Sequence, residues 1–187
     1  RLARLGQLVG LVRVVEGVRG RVPMRMALRL RFDYGRIVPW VRHCGGQLAA
    51  TAGPDAAWLH TPVPLHGEDF GTYGDFTVGA GDRVPFVLTY RPSHEPMPHP
   101  VEAERALADT EEFWTRWLSR FRYRGGWEPA VRRSLVLLKA LTYNPTGGIV
   151  AAATTSLPEQ LGGARNWDYR YCWLRDATFT LQALLGT

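Results

Sequence analysis

The hydrophobic pattern of this 187-residue chain changes its period once, and that change restricts the fold more than any other feature of the sequence. Residues 24–34 alternate strictly: Met24, Met26, Leu28, Leu30, Phe32 and Tyr34 are apolar, with Arg25, Ala27, Arg29, Arg31 and Asp33 between them. A period of two over such a length predicts a half-buried strand. Val84, Phe86, Leu88 and Tyr90 repeat the pattern, and shorter strands are predicted at 37–41, 47–51, 56–60 and 75–78. Between them stand Gly45-Gly46, Gly53-Pro54-Asp55, Gly67-Glu68-Asp69 and Gly79-Ala80-Gly81-Asp82, all turn chemistry. Several short strands with no helix among them predict an antiparallel sandwich.

Residues 91–100 are rich in proline and read as a linker. Pro100 suits a first helical position, with Glu102 and Glu104 in the first turn. Ala103, Leu107, Trp114, Trp117, Leu118 and Phe121 then form the stripe of an amphipathic helix. A second helix is predicted from near Pro129 through Leu135 and Leu138, stopping at Asn144-Pro145-Thr146-Gly147-Gly148. A third is predicted from Asp176 through Phe179 and Leu184 to Gly186. Strands first and helices second imply separate domains. Three helices do not close an α core, so the helical part of the chain is expected to be unfinished. Trp114, Trp117, Phe179 and Leu184 are expected to expose apolar faces and to favour self-association as a homo-oligomer.

Composition excludes several classes. The net charge of +6 comes almost wholly from arginine, Lys139 being the only lysine, and the arginines are scattered rather than clustered. No recognised module accompanies them, so no nucleic-acid partner is expected. The longest apolar run, around 135–138, is far too short to span a bilayer, so no membrane partner is expected either. Cys44 and Cys172 are far apart in the sequence and read as free thiols, and with no recognisable leader segment the chain is expected to be cytoplasmic. No cofactor and no metal are expected. In His94-Glu95-Pro96-Met97-Pro98-His99 the second histidine comes one residue too late for a zinc helix, and two prolines forbid that helix. His43 and Cys44 point to opposite faces of a strand, Gly147-Gly148 lacks the Lys-Ser/Thr of a phosphate loop, and no Gly-x-Ser-x-Gly elbow occurs.

One segment remains dense in aromatic, amide and charged groups: Asn166-Trp167-Asp168-Tyr169-Arg170-Tyr171-Cys172-Trp173-Leu174-Arg175-Asp176. Sugars are held by aromatic faces on their C–H side and by charged planar groups on their hydroxyls. In an extended loop, alternation turns Tyr169, Tyr171, Trp173 and Arg175 to one side, with Asp176 opening the next helix beside its positive end. A structural reading stands beside this one. Asp176 also makes a good N-cap, Arg175 can pair with Asp168, and the aromatics can be core.

At these residues the sequence resembles glycoside hydrolase family 15, which contains glucoamylases, glucodextranases and certain bacterial trehalases. The resemblance rests on this segment and on Thr146-Gly147-Gly148-Ile149-Val150-Ala151-Ala152-Ala153-Thr154-Thr155-Ser156-Leu157-Pro158-Glu159. Upstream, Glu16-Gly17, Arg21-Val22-Pro23-Met24-Arg25, Arg31-Phe32-Asp33-Tyr34-Gly35 and Pro92-Ser93-His94-Glu95-Pro96 also resemble the bacterial branch. The resemblance implies an incomplete N-terminal β-sandwich over 1–91, a linker with a helix over 92–127, and the first helices of an (α/α)6 barrel over 128–187. It implies that Arg175 and Asp176 bind hydroxyls of the non-reducing glucose, that Tyr169 and Trp173 line the same subsite, and that Asp168 and Tyr171 support it. The substrate is then an α-glucoside: trehalose, maltose or a maltooligosaccharide. Inversion by a general acid and a general base is implied as well, roughly 6.5–9.5 Å apart to admit a water. Both glutamates are expected beyond Thr187, so no catalytic residue is assigned within the chain. Glu159 matches neither position. The alternative is a carbohydrate-binding or structural fragment that lacks the acid and base, and the isolated chain is expected to be inactive.

Overall fold

The computed structural model describes residues 9–154 and 158–186. They form eight strands, β1 (Val9–Glu16), β2 (Arg21–Leu28), β3 (Trp40–Cys44), β4 (Gln47–Ala52), β5 (Asp55–His60), β6 (His66–Glu68), β7 (Gly71–Gly79) and β8 (Arg83–Pro92). Three helices follow, α1 (Ala103–Leu118), α2 (Glu128–Ala140) and α3 (Leu174–Leu185). The β-then-α order read from the periodicity is therefore the order observed. The chain divides into two compact units, Ala3–Asp109 and Thr110–Thr187, with the boundary inside α1.

All strand pairs are antiparallel, in a five-stranded sheet ordered β1-β8-β5-β4-β3 and a three-stranded sheet ordered β2-β7-β6. Phe76 of β7 meets Phe86 of β8 with ring centroids 5.5 Å apart, so the two sheets touch through their facing aromatics. The opposite face of the larger sheet is covered by the proline-rich segment. Pro98 is fully buried, and its carbonyl accepts the Gln47 amide N–H at 2.8 Å. The segment read as a linker is thus packed against β4, and its first residues, Arg91 and Pro92, complete β8. Central strands covered on both faces need small side chains, and β4 and β5 supply them. Ala49, Ala50, Ala52, Ala56 and Ala57 are all buried, with Trp58 as the one large ring among them.

Several local expectations are corrected. The strand predicted over 24–34 starts at Arg21 and ends at Leu28, because Leu28 pairs with Thr72 and β7 begins only one residue before that. Asp33 and Tyr34 instead form a tight turn in the left-handed region, closed by Phe32 and Ile37 exchanging backbone hydrogen bonds at 2.9 and 3.1 Å. The strand predicted over 37–41 is Trp40–Cys44. Gly67 and Glu68, read as a turn, lie in β6, and the turn is one step later at Asp69-Phe70. β1 had no counterpart among the predicted strands, since its valine-rich run does not alternate cleanly. In β8 the fully buried residues are Val87 and Thr89, which point to the face opposite the predicted alternating set; Val84, Phe86 and Leu88 are half-buried and Tyr90 is exposed.

Helix α1 begins at Ala103, not Pro100, and the reason is a cap. The Glu102 carboxylate accepts the Glu104 and Arg105 amides at 3.0 and 2.7 Å, satisfying donors that the first turn leaves open. Arg83 of β8 joins this helix start to the sheet. Its fork donates to both oxygens of Glu104 at 2.7 and 2.9 Å, and its third nitrogen reaches Glu16 of β1. The Arg83 hydrogen bonds hold the Glu104 carboxyl below its ordinary range. A carboxylate held this way stabilises the fold above the ordinary glutamate range, and the contribution is lost as pH falls through the lowered value. Acidification into that window is therefore expected to lower the protection of the amides at the start of α1 against hydrogen exchange, relative to their intrinsic rate at the same pH. Glu104→Gln at neutral pH is expected to lower it as well. Protection factors indifferent to both would show that Arg83 does not secure the helix start.

Candidate functional site

The segment 166–176 lies in the second unit, between a reversal that follows α2 and the first turn of α3. After the Leu141 cap, Thr142 and Ile149 form a bridge, and Tyr143 N–H donates to the Gly148 carbonyl at 2.7 Å. Gly147 closes this turn at φ 76°, a conformation that glycine adopts freely. Leaving it, the Ala151 and Ala152 amides donate to the carbonyls of Tyr171 and Tyr169 at 3.0 and 2.8 Å. The backbone beneath the aromatic residues is thereby fixed. Residues 155–157 of the motif, Thr155, Ser156 and Leu157, lie outside the described residues.

The segment is not the extended loop that alternation predicted. The Asp168 carboxylate accepts the Arg170 backbone amide at 2.9 Å, an Asx turn that curls the chain. The same carboxylate takes Arg170 Nε at 3.0 Å and Nη2 at 2.7 Å. These hydrogen bonds hold the Asp168 carboxyl below its usual range, the side-chain bond contributing most. Asp168 thus pairs with Arg170, not with Arg175. The curl brings together two residues four apart, which full extension would separate by roughly 13 Å. Tyr169 stacks on Trp173 with ring centroids 4.9 Å apart and planes 10° from parallel. The Trp173 indole N–H donates to the Asp168 carbonyl at 3.1 Å, and Trp167 meets the same indole edge-on at 6.4 Å. Tyr171 is 64% exposed and takes no part in the Tyr169–Trp173 stack.

Arg175 and Asp176 stand in the first turn of α3, whose N-cap is Trp173, in extended conformation and without a side-chain cap bond. Asp176 is therefore not the cap; it is the third helical residue, close to the positive end of the helix dipole. Arg175 Nη2 reaches Asp176 Oδ2 at 3.2 Å, with the Arg175 side chain 64% exposed and that of Asp176 30%. One of the five guanidinium N–H groups is engaged there, so most of the fork is open to a ligand. The structure thus brings together Tyr169 with Trp173, and Arg175 with Asp176, as two consecutive pairs. Glu159 is occupied differently, in an ion pair with Arg165 at 3.6 Å. Arg170 and Trp167, both in contact with these groups, were not assigned a role from the sequence. The Asp-x-Arg spacing was the signal for Arg170, since an Asx turn reaches two residues on.

Both thiols are free, Cys172 exposed and Cys44 partly covered. Among the described residues no three His, Cys, Asp or Glu side chains gather to hold a metal, and no helix is long and apolar enough to cross a membrane.

Residues 128–187 match the sequence model of the family described as glycosyl hydrolases family 15. Among curated proteins the chain is 37% identical over 183 residues to a trehalase of Mycobacterium tuberculosis, covering 93% of this chain and 27% of that protein. It is 36% identical over 184 residues to a trehalase of Mycolicibacterium smegmatis, with 93% and 27% covered. A trehalase of Thermoplasma volcanium is 30% identical over 172 residues, with 92% and 28% covered. The chain therefore spans little more than a quarter of the length of these relatives. No solved structure matches it.

Proposed function

This chain belongs to glycosyl hydrolase family 15, and from that premise we propose that the complete protein hydrolyses terminal α-glucosidic bonds, with trehalose as its substrate. The observation that carries the reading is a stacked Tyr169–Trp173 plate followed directly, in the first turn of α3, by an open Arg175–Asp176 pair. A plate offers the apolar face of a hexose a partner, and a fork beside a carboxylate suits adjacent hydroxyls. The relatives' names, all trehalase, favour trehalose over maltose and maltooligosaccharides.

In this reading the two sheets are the N-terminal β-sandwich, 92–127 is the linker, and 128–187 contributes the first helices of an (α/α)6 barrel. We assign no general acid or base to the described residues. Asp168 is engaged by Arg170, which holds its carboxyl below the usual range rather than poised to give a proton, and Asp176 lies 3.2 Å from Arg175 in the substrate-binding pair. The 187 residues alone then grip a sugar without cutting it, and the acid and base of an inverting mechanism come from elsewhere in the complete protein.

A substrate panel on the complete protein tests this. Trehalose is expected to be cleaved faster than maltose or starch, with α- and β-glucose appearing together in equal amounts by proton NMR, because the attacked ring inverts and the leaving ring keeps its α configuration. A preference for starch would make the enzyme a glucoamylase type, and α-glucose released from trehalose with no initial β-glucose would remove the inverting mechanism. No glucose from any of the three would overturn the reading.

A further inference from the structure

We propose that Asp168 is a positioning residue of this sugar site: its clasp on Arg170 and its hold on the Trp173 indole fix the Tyr169–Trp173 plate. The proposal rests on the glucoside-binding reading above and adds to it a residue that does not itself contact the sugar. Three observations carry it. First, a carboxylate has about four acceptor positions, and three here are filled by Arg170, through its backbone amide at 2.9 Å, Nε at 3.0 Å and Nη2 at 2.7 Å. Little of Asp168 is left for a ligand. Second, the backbone carbonyl of the same residue accepts the Trp173 N–H at 3.1 Å, so one residue sets both the curl of the chain and the rotation of the indole. Third, the plate is the product of that curl. Tyr169 lies 4.9 Å from Trp173 and within 10° of parallel, which an uncurled segment does not allow.

The clasp also bears on the charged pair. Trp173 is the N-cap of α3, and its carbonyl accepts the Ala177 amide at 2.9 Å. A fixed Trp173 therefore fixes the helix start on which Arg175 and Asp176 stand. On the other side, the Tyr169 and Tyr171 carbonyls are held by Ala152 and Ala151. The segment is tied at both ends, with Asp168 as the tie internal to it.

The test uses the complete protein with Asp168→Ala, Arg170→Ala, the double variant and Asp168→Asn. Each alanine variant is expected to raise KM for trehalose about tenfold while kcat stays within about threefold, because a misaligned plate weakens ground and transition states alike. The double variant is expected to be no worse than the worse single one, since both substitutions open one clasp. In near-UV circular dichroism the aromatic band of the stack is expected to weaken in each, with the far-UV spectrum unchanged. Asp168→Asn keeps a side-chain acceptor for the Arg170 amide, which alanine lacks, while every variant keeps the backbone carbonyl for Trp173, so the asparagine variant is expected to restore part of the band and of KM. If Asp168→Ala loses its far-UV spectrum, this milder variant and Arg170→Ala decide the matter.

A collapse of kcat in Asp168→Ala with Arg170→Ala near wild type would overturn the proposal, since Asp168 would then act on the substrate directly. Wild-type KM and an unchanged near-UV band in both single variants would overturn it too. Failure of the underlying reading looks different: the wild-type protein releases no glucose from any glucoside. In that event the near-UV band alone decides whether the clasp holds the plate.

Discussion

Replacing Arg175 or Asp176 by alanine in the complete protein is expected to lower kcat/KM for trehalose by about a hundredfold to a thousandfold. The two residues share only one 3.2 Å contact, and Arg175 is mostly solvent-exposed. Such a pair adds little to stability, about 1 kcal/mol at most. The same substitutions should therefore leave the melting temperature and the far-UV spectrum close to wild type. That separation of activity from stability is what marks a ligand-binding pair rather than a structural one. Arg175→Lys sharpens the comparison, since lysine keeps the charge but loses the planar fork that can donate to two hydroxyls at once. It is expected to recover only a small part of the lost activity. Near-normal turnover of glucosides by Arg175→Ala and Asp176→Ala would remove this pair from the binding site.

The largest effect on stability is expected at Trp58. Its ring is buried among Ala49, which has no exposed surface, and Ala56, with Cys44 packed against the same cluster. Across the strands Trp58 faces Ala49 on one side and Thr89 on the other. None of these neighbours is long enough to move into the space a missing indole would leave. Trp58→Ala therefore removes a large buried apolar surface and leaves a cavity as well, a loss of about 3–5 kcal/mol. That is a large share of the stability of an ordinary domain, which is about 5–15 kcal/mol. Urea unfolding followed by a sheet-sensitive signal measures it. Leu11→Ala, at a half-exposed position of β1, gives the comparison and is expected to cost much less. Equal losses in the two variants would show that the core is not centred on β4 and β5.

The two units differ in how much of their structure the sequence announces. In the β unit, period-two alternation located most of the strands because one face of each must be buried and the other need not be. It failed at ends and edges. Alternation continues past Leu28 to Tyr34, yet the strand stops at Leu28 because no partner backbone remains opposite. β6 was hidden in turn-like residues, since a strand of three residues owes its existence to β7 rather than to its own composition. Helix starts were displaced for a related reason. Pro100 is suited to a first turn, but the Glu102 carboxylate reaches two amides and puts the start at Ala103.

At the site, the sequence by itself determined which residues are present and in what order: Tyr169, Trp173, Arg175 and Asp176, each of a type that suits a sugar. The membership of the family is likewise carried by the order of residues alone. What it did not determine is their geometry. Reading the segment as extended placed Tyr171 with Tyr169 and Trp173, and left Asp168 free to meet Arg175. Only the tertiary structure decided that Asp168 turns back onto Arg170, that Tyr171 is left out of the stack, and that α3 begins before Arg175 rather than at Asp176. The physical reason is competition between nearby partners. A carboxylate with two arginines within a few residues takes the one whose amide and fork it can reach together, and that choice rests on backbone angles which residue types constrain but do not fix.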